Sequence, residues 1–134
     1  MARRLILDTG VLVATERARA SLGAVLRPDD DVAIAAVSVA ELRTGVELAS
    51  DHHRARRGDF LQQVLRTLPI EPYDVATAEA HGRLLAHVHR AGAQRGAHDL
   101  LVAATAVVTR RTVLTTDRSA RFDELPGVDC IVVG

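Results

Sequence analysis

Four short runs, Leu5–Leu7, Val32–Val37, Thr112–Thr115 and Cys130–Val133, limit what this chain can fold into more than any other feature. Each is three to six residues long and is nearly all apolar or rich in β-branched side chains. A strand with one wet face alternates polar and apolar residues, whereas a strand covered on both faces has no such need. The four runs therefore read as buried parallel strands. Segments with helical spacing separate them. Gly10–Leu26 reads as two short helices stopped by Pro28, and Ser38–Ser50 as a helix opened by an N-cap serine. His52–Leu68 reads as a helix ended by Pro69. Val75–Ala91 and His98–Arg111 follow, separated by the turn Gly92–Gly96. Strands alternating with helices predict the α/β class: a three-layer α/β/α domain around a short, mostly parallel central sheet. With 134 residues, the chain 1–134 is expected to form one such domain.

Composition removes several function classes. Seventeen basic residues, all Arg, balance seventeen acidic ones, so bulk positive charge cannot drive nucleic-acid binding. Tyr73, Phe60 and Phe122 are the whole aromatic complement, too few for platforms that stack bases on exposed rings. The single cysteine, Cys130, excludes an internal disulfide and a Cys-rich zinc site, and its apolar run marks it as a core residue. No run approaches the ~20 apolar residues of a membrane span. The N-terminal run meets a carboxylate at Asp8, too early for a signal peptide, which predicts a soluble, cytoplasmic protein without membrane contact.

In an open parallel sheet, ligands bind at the carboxyl ends of the strands. Asp8 directly follows the first run, and Asp117 follows the strand that starts at Thr112. Glu41 lies in the first turn of the helix after the second run. The helix carrying Asp99 leads into Thr112 and so runs antiparallel to that strand, which places its N-terminus at the same edge. Each acid has a plain structural role open to it. Ser38-x-x-Glu41 matches a capping box, Asp99 suits a helix N-terminus, Asp117 an Asx-turn and Asp8 an N-cap. Those roles do not explain why four like charges share one rim. A hard divalent cation, Mg²⁺ or Mn²⁺, does, because it takes carboxylate oxygens and keeps waters for a phosphate substrate.

The motifs in order resemble a PIN-domain ribonuclease, specifically a VapC-type toxin of a type II toxin–antitoxin pair. LILDTGVLVA is similar to the family's opening strand with its first acid, Asp8, and VSVAELRTGV, with Glu41 and Gly45, to its second motif. AHDLLVAATAV, with Asp99, resembles the third. VLTTDRSARFDELPGV, with Thr115, Asp117 and the Pro126–Gly127 turn, resembles the fourth. Gly10 stands where the family often has serine. Ala120 and Arg121 stand where a further acid is common, with Asp123 a nearby substitute. The resemblance implies metal-dependent endonucleolytic cleavage of RNA by activated water, leaving 5′-phosphate and 3′-hydroxyl ends. It implies catalytic Asp8, Glu41, Asp99 and Asp117, a metal held by Asp8, Asp99 and Asp117, and Thr9 and Thr115 as neighbouring or substrate contacts. Mg²⁺ is the implied cofactor, with Mn²⁺ able to substitute. A homodimer and a VapB-like antitoxin, whose tail fills the acidic cleft, are the implied partners.

Other readings rank lower. Asp8-Thr9-Gly10 matches the triplet of retroviral-type aspartic proteases, but those chains are β-rich and this one is mainly helical. His87 and His89 are two apart on a helix and face different ways, so they do not form a zinc pair. His98 reads as a surface or capping histidine, and the run His52–Arg57 as a solvated helix face ahead of an RNA contact. Beside the ribonuclease stands one alternative of another class, a catalytically silent PIN-like module that acts only through an antitoxin or other partner.

Overall fold

The computed structural model describes residues 2–18 and 22–134. Strand β1 (Arg4–Leu7) is its centre, with β2 (Asp31–Ala35) on one side and β4 (Thr112–Thr115) on the other. Two outer strands, β3 (Ile70–Glu71) beside β2 and β5 (Cys130–Val132) beside β4, complete the order β3-β2-β1-β4-β5. All four pairings are parallel, so the expectation of a mostly parallel sheet was, if anything, cautious.

The near-absence of polar residues in the strands follows from a core on each face. Ile6, Ala35 and Val113 point into one core, where they meet Leu84 of α4 (Val75–Ala91) and Leu100, Val102 and Ala103 of α5 (Ala97–Thr109). Leu5, Leu7, Ile34 and Leu114 point the other way. There they meet Leu12 of α1 (Thr9–Arg17), Leu42 of α2 (Ala36–Glu47) and Val64 of α3 (Asp51–Thr67). The side-chain period of two thus serves two cores at once, giving the three-layer α/β/α arrangement.

Several boundaries differ from expectation for identifiable reasons. β2 passes into α2 without a loop, so the helix starts at Ala36 and the strand stops two residues before Val37. Ser38 is therefore the third helical residue and fully buried, not an N-cap, and the capping box with Glu41 does not form. β3, two residues long, carries no periodic signal and was hidden behind Pro69, whose carbonyl accepts from the Ile34 amide at 3.0 Å. A 3₁₀ turn, Leu22–Ala24, stands where a second short helix was expected within Gly10–Leu26; residues 19–21 of that segment lie outside the described residues. Two further 3₁₀ turns, Arg118–Ala120 and Phe122–Glu124, follow β4. Cys130 is half-buried rather than fully so, and burial pushes its thiol pKa up.

Arg111, buried just before β4, ties the sheet together across its strands. Its guanidinium donates to the Leu5 and Asp31 carbonyls at 3.3 and 3.0 Å and to the carboxylates of Asp31 and Glu71 at 2.9 and 3.3 Å. Its Nε is buried without a partner. Removing such a cation leaves two carboxylates and two carbonyls short of a donor. The carboxylates are partly exposed, which reduces the loss below that of a fully buried pair. Arg111→Met should therefore destabilise the protein by about 2 kcal/mol in urea melts. Arg111→Lys should recover less than half of that, because one ammonium cannot reach so many acceptors.

Candidate active site

In the order β3-β2-β1-β4-β5 the chain runs from β1 outward through β2 to β3 and then crosses to the other side of β1 for β4 and β5, so the crevice at the strand ends opens between β1 and β4. Asp8 leaves β1 at this point, and its backbone N–H donates to the Leu114 carbonyl at 2.9 Å. The residue is 8% exposed. One carboxylate oxygen accepts from the Thr9 amide at 2.9 Å and the other from the fully buried Thr115 hydroxyl, also at 2.9 Å. Thr115 Oγ1 in turn accepts from the Asp117 amide at 3.0 Å. A single buried hydroxyl thus joins the acid after β1 to the acid after β4.

Glu41 is placed from the opposite side. Thr9 Oγ1 donates to Glu41 Oε1 at 2.7 Å and lies 2.9 Å from the buried Ser38 hydroxyl. Thr9 has one hydroxyl proton and a carboxylate can only accept, so the proton between the two hydroxyls comes from Ser38. Glu41 Oε2 lies 3.1 Å from His98 Nδ1. Ser38 and His98 are the residues that sequence reasoning missed. By local pattern Ser38 reads as a cap, and His98 as a surface or capping histidine beside Asp99. The second assignment is half right, since His98 is exposed, yet it reaches Glu41 from the first turn of α5.

Asp99 also stands in that first turn and makes no hydrogen bond among the described residues. Gly96 leaves room for it, since a Cβ there would lie 2.9 Å from Asp99 Oδ2. Asp117 is exposed, and its Oδ1 accepts from the Ser119 amide and hydroxyl at 2.9 and 2.5 Å. The cap and turn roles open to Asp8 and Asp117 are therefore realised, and the acids gather on one rim all the same. Burial pushes the pKa of Asp8 above the usual carboxylate range, against bonds from Thr115 and Thr9, and the charges of Glu41 and Asp117 add to it. Burial likewise raises Asp99, and Asp8, Asp117 and Glu41 raise it further. Asp123 is exposed in the last 3₁₀ turn and is not among the charges acting on either. At Gly10 a Cβ would meet Thr116 Oγ1 at 3.3 Å, so a hydroxyl from a neighbouring residue crowds the place of the missing serine.

The donor set fits a hard cation in an open arrangement. Among the described residues no three Asp, Glu, His or Cys side chains close into a ready-made metal cage, and His87 and His89 form no such group either. Mg²⁺ seldom needs one, since it is commonly held by one or two carboxylates and completes its coordination with water and substrate phosphate. The basic run of α3 is occupied within the fold. Arg54 bonds Asp51 and the Ala49 carbonyl, Arg56 bonds Glu16, and Arg57 bonds the Gly45 carbonyl.

A fully parallel five-stranded sheet with acids gathered where its strand order reverses defines the class, an α/β/α domain of PIN type. The chain belongs to the PIN domain family, whose model matches residues 5–128. It is similar to Ribonuclease VapC5 of Mycobacterium tuberculosis, with 37% identity over 96% of this chain and 94% of that protein. Among solved structures it is similar to VapBC-5 of M. tuberculosis, a member of the VapBC family of toxin–antitoxin systems. There the TM-score is 0.80, at 33% identity over 97% of this chain and 98% of that one. The fold also matches a chain of VapBC2 from Rickettsia felis bound to a promoter DNA fragment, with a TM-score of 0.87, 21% identity and coverage of 98% and 99%. Among the described residues, no helix is long and apolar enough to cross a membrane.

The shifted acids fix the sign of the pH dependence without metal. Asp8 and Asp99 hold their protons more tightly in the fold than in the unfolded chain, so their contribution is full below their unfolded pKa and lost as pH rises through the raised one. Asp30 behaves in the opposite way: its bidentate pair with Arg3 lowers it to about 2, so its contribution is lost as pH falls toward that value. In EDTA, stability should therefore peak on the acid side of neutrality. Asp99→Asn, which breaks no hydrogen bond, should melt at or above the parent at neutral pH and flatten the acid-side rise. Asp117→Ala should instead lose its cap, at a cost of about 0.5–1 kcal/mol. Thermal melts from pH 4 to 8 test both. A lowered Asp99→Asn melting temperature at neutral pH would contradict this account of the site.

Proposed function

We propose that this chain is a metal-dependent endoribonuclease and the toxin half of a VapBC-type toxin–antitoxin pair. The observation that carries this reading is the gathering of Asp8, Glu41, Asp99 and Asp117 where the strand order reverses, with Asp8 and Asp99 raised by burial and by the charges of neighbouring acids. The likeness over nearly the whole chain to a protein named as a ribonuclease supports it. An RNA phosphodiester is itself an anion and would be repelled by four carboxylates. When bound, Mg²⁺ or Mn²⁺ supplies neutralisation of that phosphate and a water of lowered pKa.

Asp8, Asp99 and Asp117 are the proposed ligands. Thr115 holds Asp8 by one oxygen and leaves lone pairs on both oxygens for the cation. Among the described residues, Asp99 and Oδ2 of Asp117 make no protein hydrogen bond, as suits ligands to an exchangeable ion. Glu41, held by Thr9 on one oxygen and His98 on the other, is placed to orient water or accept its proton. The partner proposed for the protein is a VapB-like antitoxin, and the solved relative VapBC-5 is a toxin–antitoxin system. A cleft beside Glu41, floored by Val13, Leu42 and Phe60 and edged by Glu16 and Arg17, offers an antitoxin tail both apolar and charged contacts.

Cleavage of a mixed RNA pool should be abolished by EDTA and restored by Mg²⁺ or Mn²⁺. Asp8→Asn, Asp99→Asn and Asp117→Asn should each lower it roughly 100-fold or more, since even the residues that orient metal ligands account for about 10- to 100-fold. Parent-like cleavage by Asp99→Asn would remove the site assignment. Cleavage absent under all metal conditions, together with capture of a small protein encoded beside the gene, would favour the silent-module alternative.

A further inference from the structure

We propose that Arg95 is a positioning residue of the acid site, a largely buried guanidinium that straps the Asp117 loop to the start of α5 and so fixes Asp117 relative to Asp99. The proposal rests on reading those acids as a metal site, and it is tested below in a way that separates the two.

Arg95 precedes Gly96, the N-cap residue of α5, and its side chain is 8% exposed. An arginine so withdrawn from water needs acceptors, and these lie across the site, in the loop after β4. Nη1 donates to the Ala120 carbonyl at 2.5 Å and to the Arg121 carbonyl at 2.7 Å, while Nη2 stands 4.0 Å from Glu124 Oε1. The acceptors sit at the joint between the two 3₁₀ turns. There Arg121 takes a left-handed conformation (φ 49°, ψ 49°), which a side-chain-bearing residue rarely adopts without outside support. Arg95 supplies that support at the strained peptide itself.

Both ends of the strap reach an acid. On one side only Arg118 and Ser119 separate Ala120, the first of the anchored residues, from Asp117, which caps the turn Arg118–Ala120 through Ser119. On the other, Asp99 lies against Gly96, where even a Cβ would crowd its carboxylate. Ala120 and Phe122 also seat the loop against the α5 core. Apolar contact is non-directional, however, and tolerates sliding that two short hydrogen bonds to adjacent carbonyls do not. Both bonds come from Nη1, at the tip of the guanidinium; a lysine ends one bond short of that atom and carries its protons tetrahedrally rather than in the guanidinium plane, so it cannot hold both carbonyls in the same way.

The test uses Arg95→Lys and Arg95→Gln in the full chain, with Arg83→Ala, an exposed helical residue, as control. Two quantities are read. One is amide exchange of Ser119, relative to Ala104 in α5, in metal-free protein; the other is Mn²⁺ affinity by calorimetry. The strap predicts at least tenfold faster exchange at Ser119 with Ala104 little changed, and Mn²⁺ binding weakened by about 10- to 100-fold, Arg95→Lys lying between parent and Arg95→Gln. A merely stabilising arginine would speed Ser119 and Ala104 together and leave Mn²⁺ affinity at the parent value, and that result overturns the proposal. Unchanged Ser119 exchange in both variants overturns it as well. If the parent itself binds no Mn²⁺, the metal reading fails, and selective loosening of Ser119 still decides for the strap.

Discussion

β1 is the strand on which everything else in this protein is hung. Leu5, Ile6 and Leu7 have no contact with solvent, and each side chain so buried contributes about 1.5–3 kcal/mol relative to exposure. A strand in that position has its backbone paired on both edges and its side chains packed on both faces. Its carboxyl end therefore cannot move independently of β2 and β4. Asp8 inherits that rigidity. The chain must leave the sheet there, and the first polar residue after the buried run is the one the site is built around.

A carboxylate so placed is unfavourable on its own, and the fold compensates only in part. Thr115 and the Thr9 amide each donate one hydrogen bond to Asp8, yet desolvation and neighbouring acids still raise its pKa. Asp99 lacks even that help and is raised by the same two causes. The repulsion is held in place by elements whose stability comes from elsewhere: the two cores, the Arg111 cluster beneath the sheet and the packing of α5. A fold that concentrates negative charge in this way leaves a definite electrostatic task to whatever binds there. The neutral net charge of the chain would not have revealed it, because the excess is local.

The sequence showed most of the elements, and the failures have physical causes. β4 and α4 match expectation to the residue, since an apolar run bounded by polar residues and a long periodic segment with a glycine after it are strong local signals. β3 was invisible because two residues have no period. Its existence depends on an edge of β2 being available to pair. Ser38 misled for a related reason. Ser-x-x-Glu is a local capping pattern, but a strand that runs straight into a helix moves the N-terminus two residues upstream and turns the serine inward, toward Thr9.

The sequence by itself determined the class of fold and which acids would share an edge. Both follow from short-range rules: apolar runs become buried strands, and residues just after such runs lie at their carboxyl ends. It could not determine what the acids touch. That Thr115 binds Asp8, that Thr9 and His98 hold Glu41, and that Arg95 reaches the Ala120 and Arg121 carbonyls are bonds between residues 25 to 107 positions apart. Such bonds depend on strand order and helix docking. Those were decided only when the two cores closed, because hydrogen-bond geometry is set within tenths of an ångström by packing that no local pattern encodes.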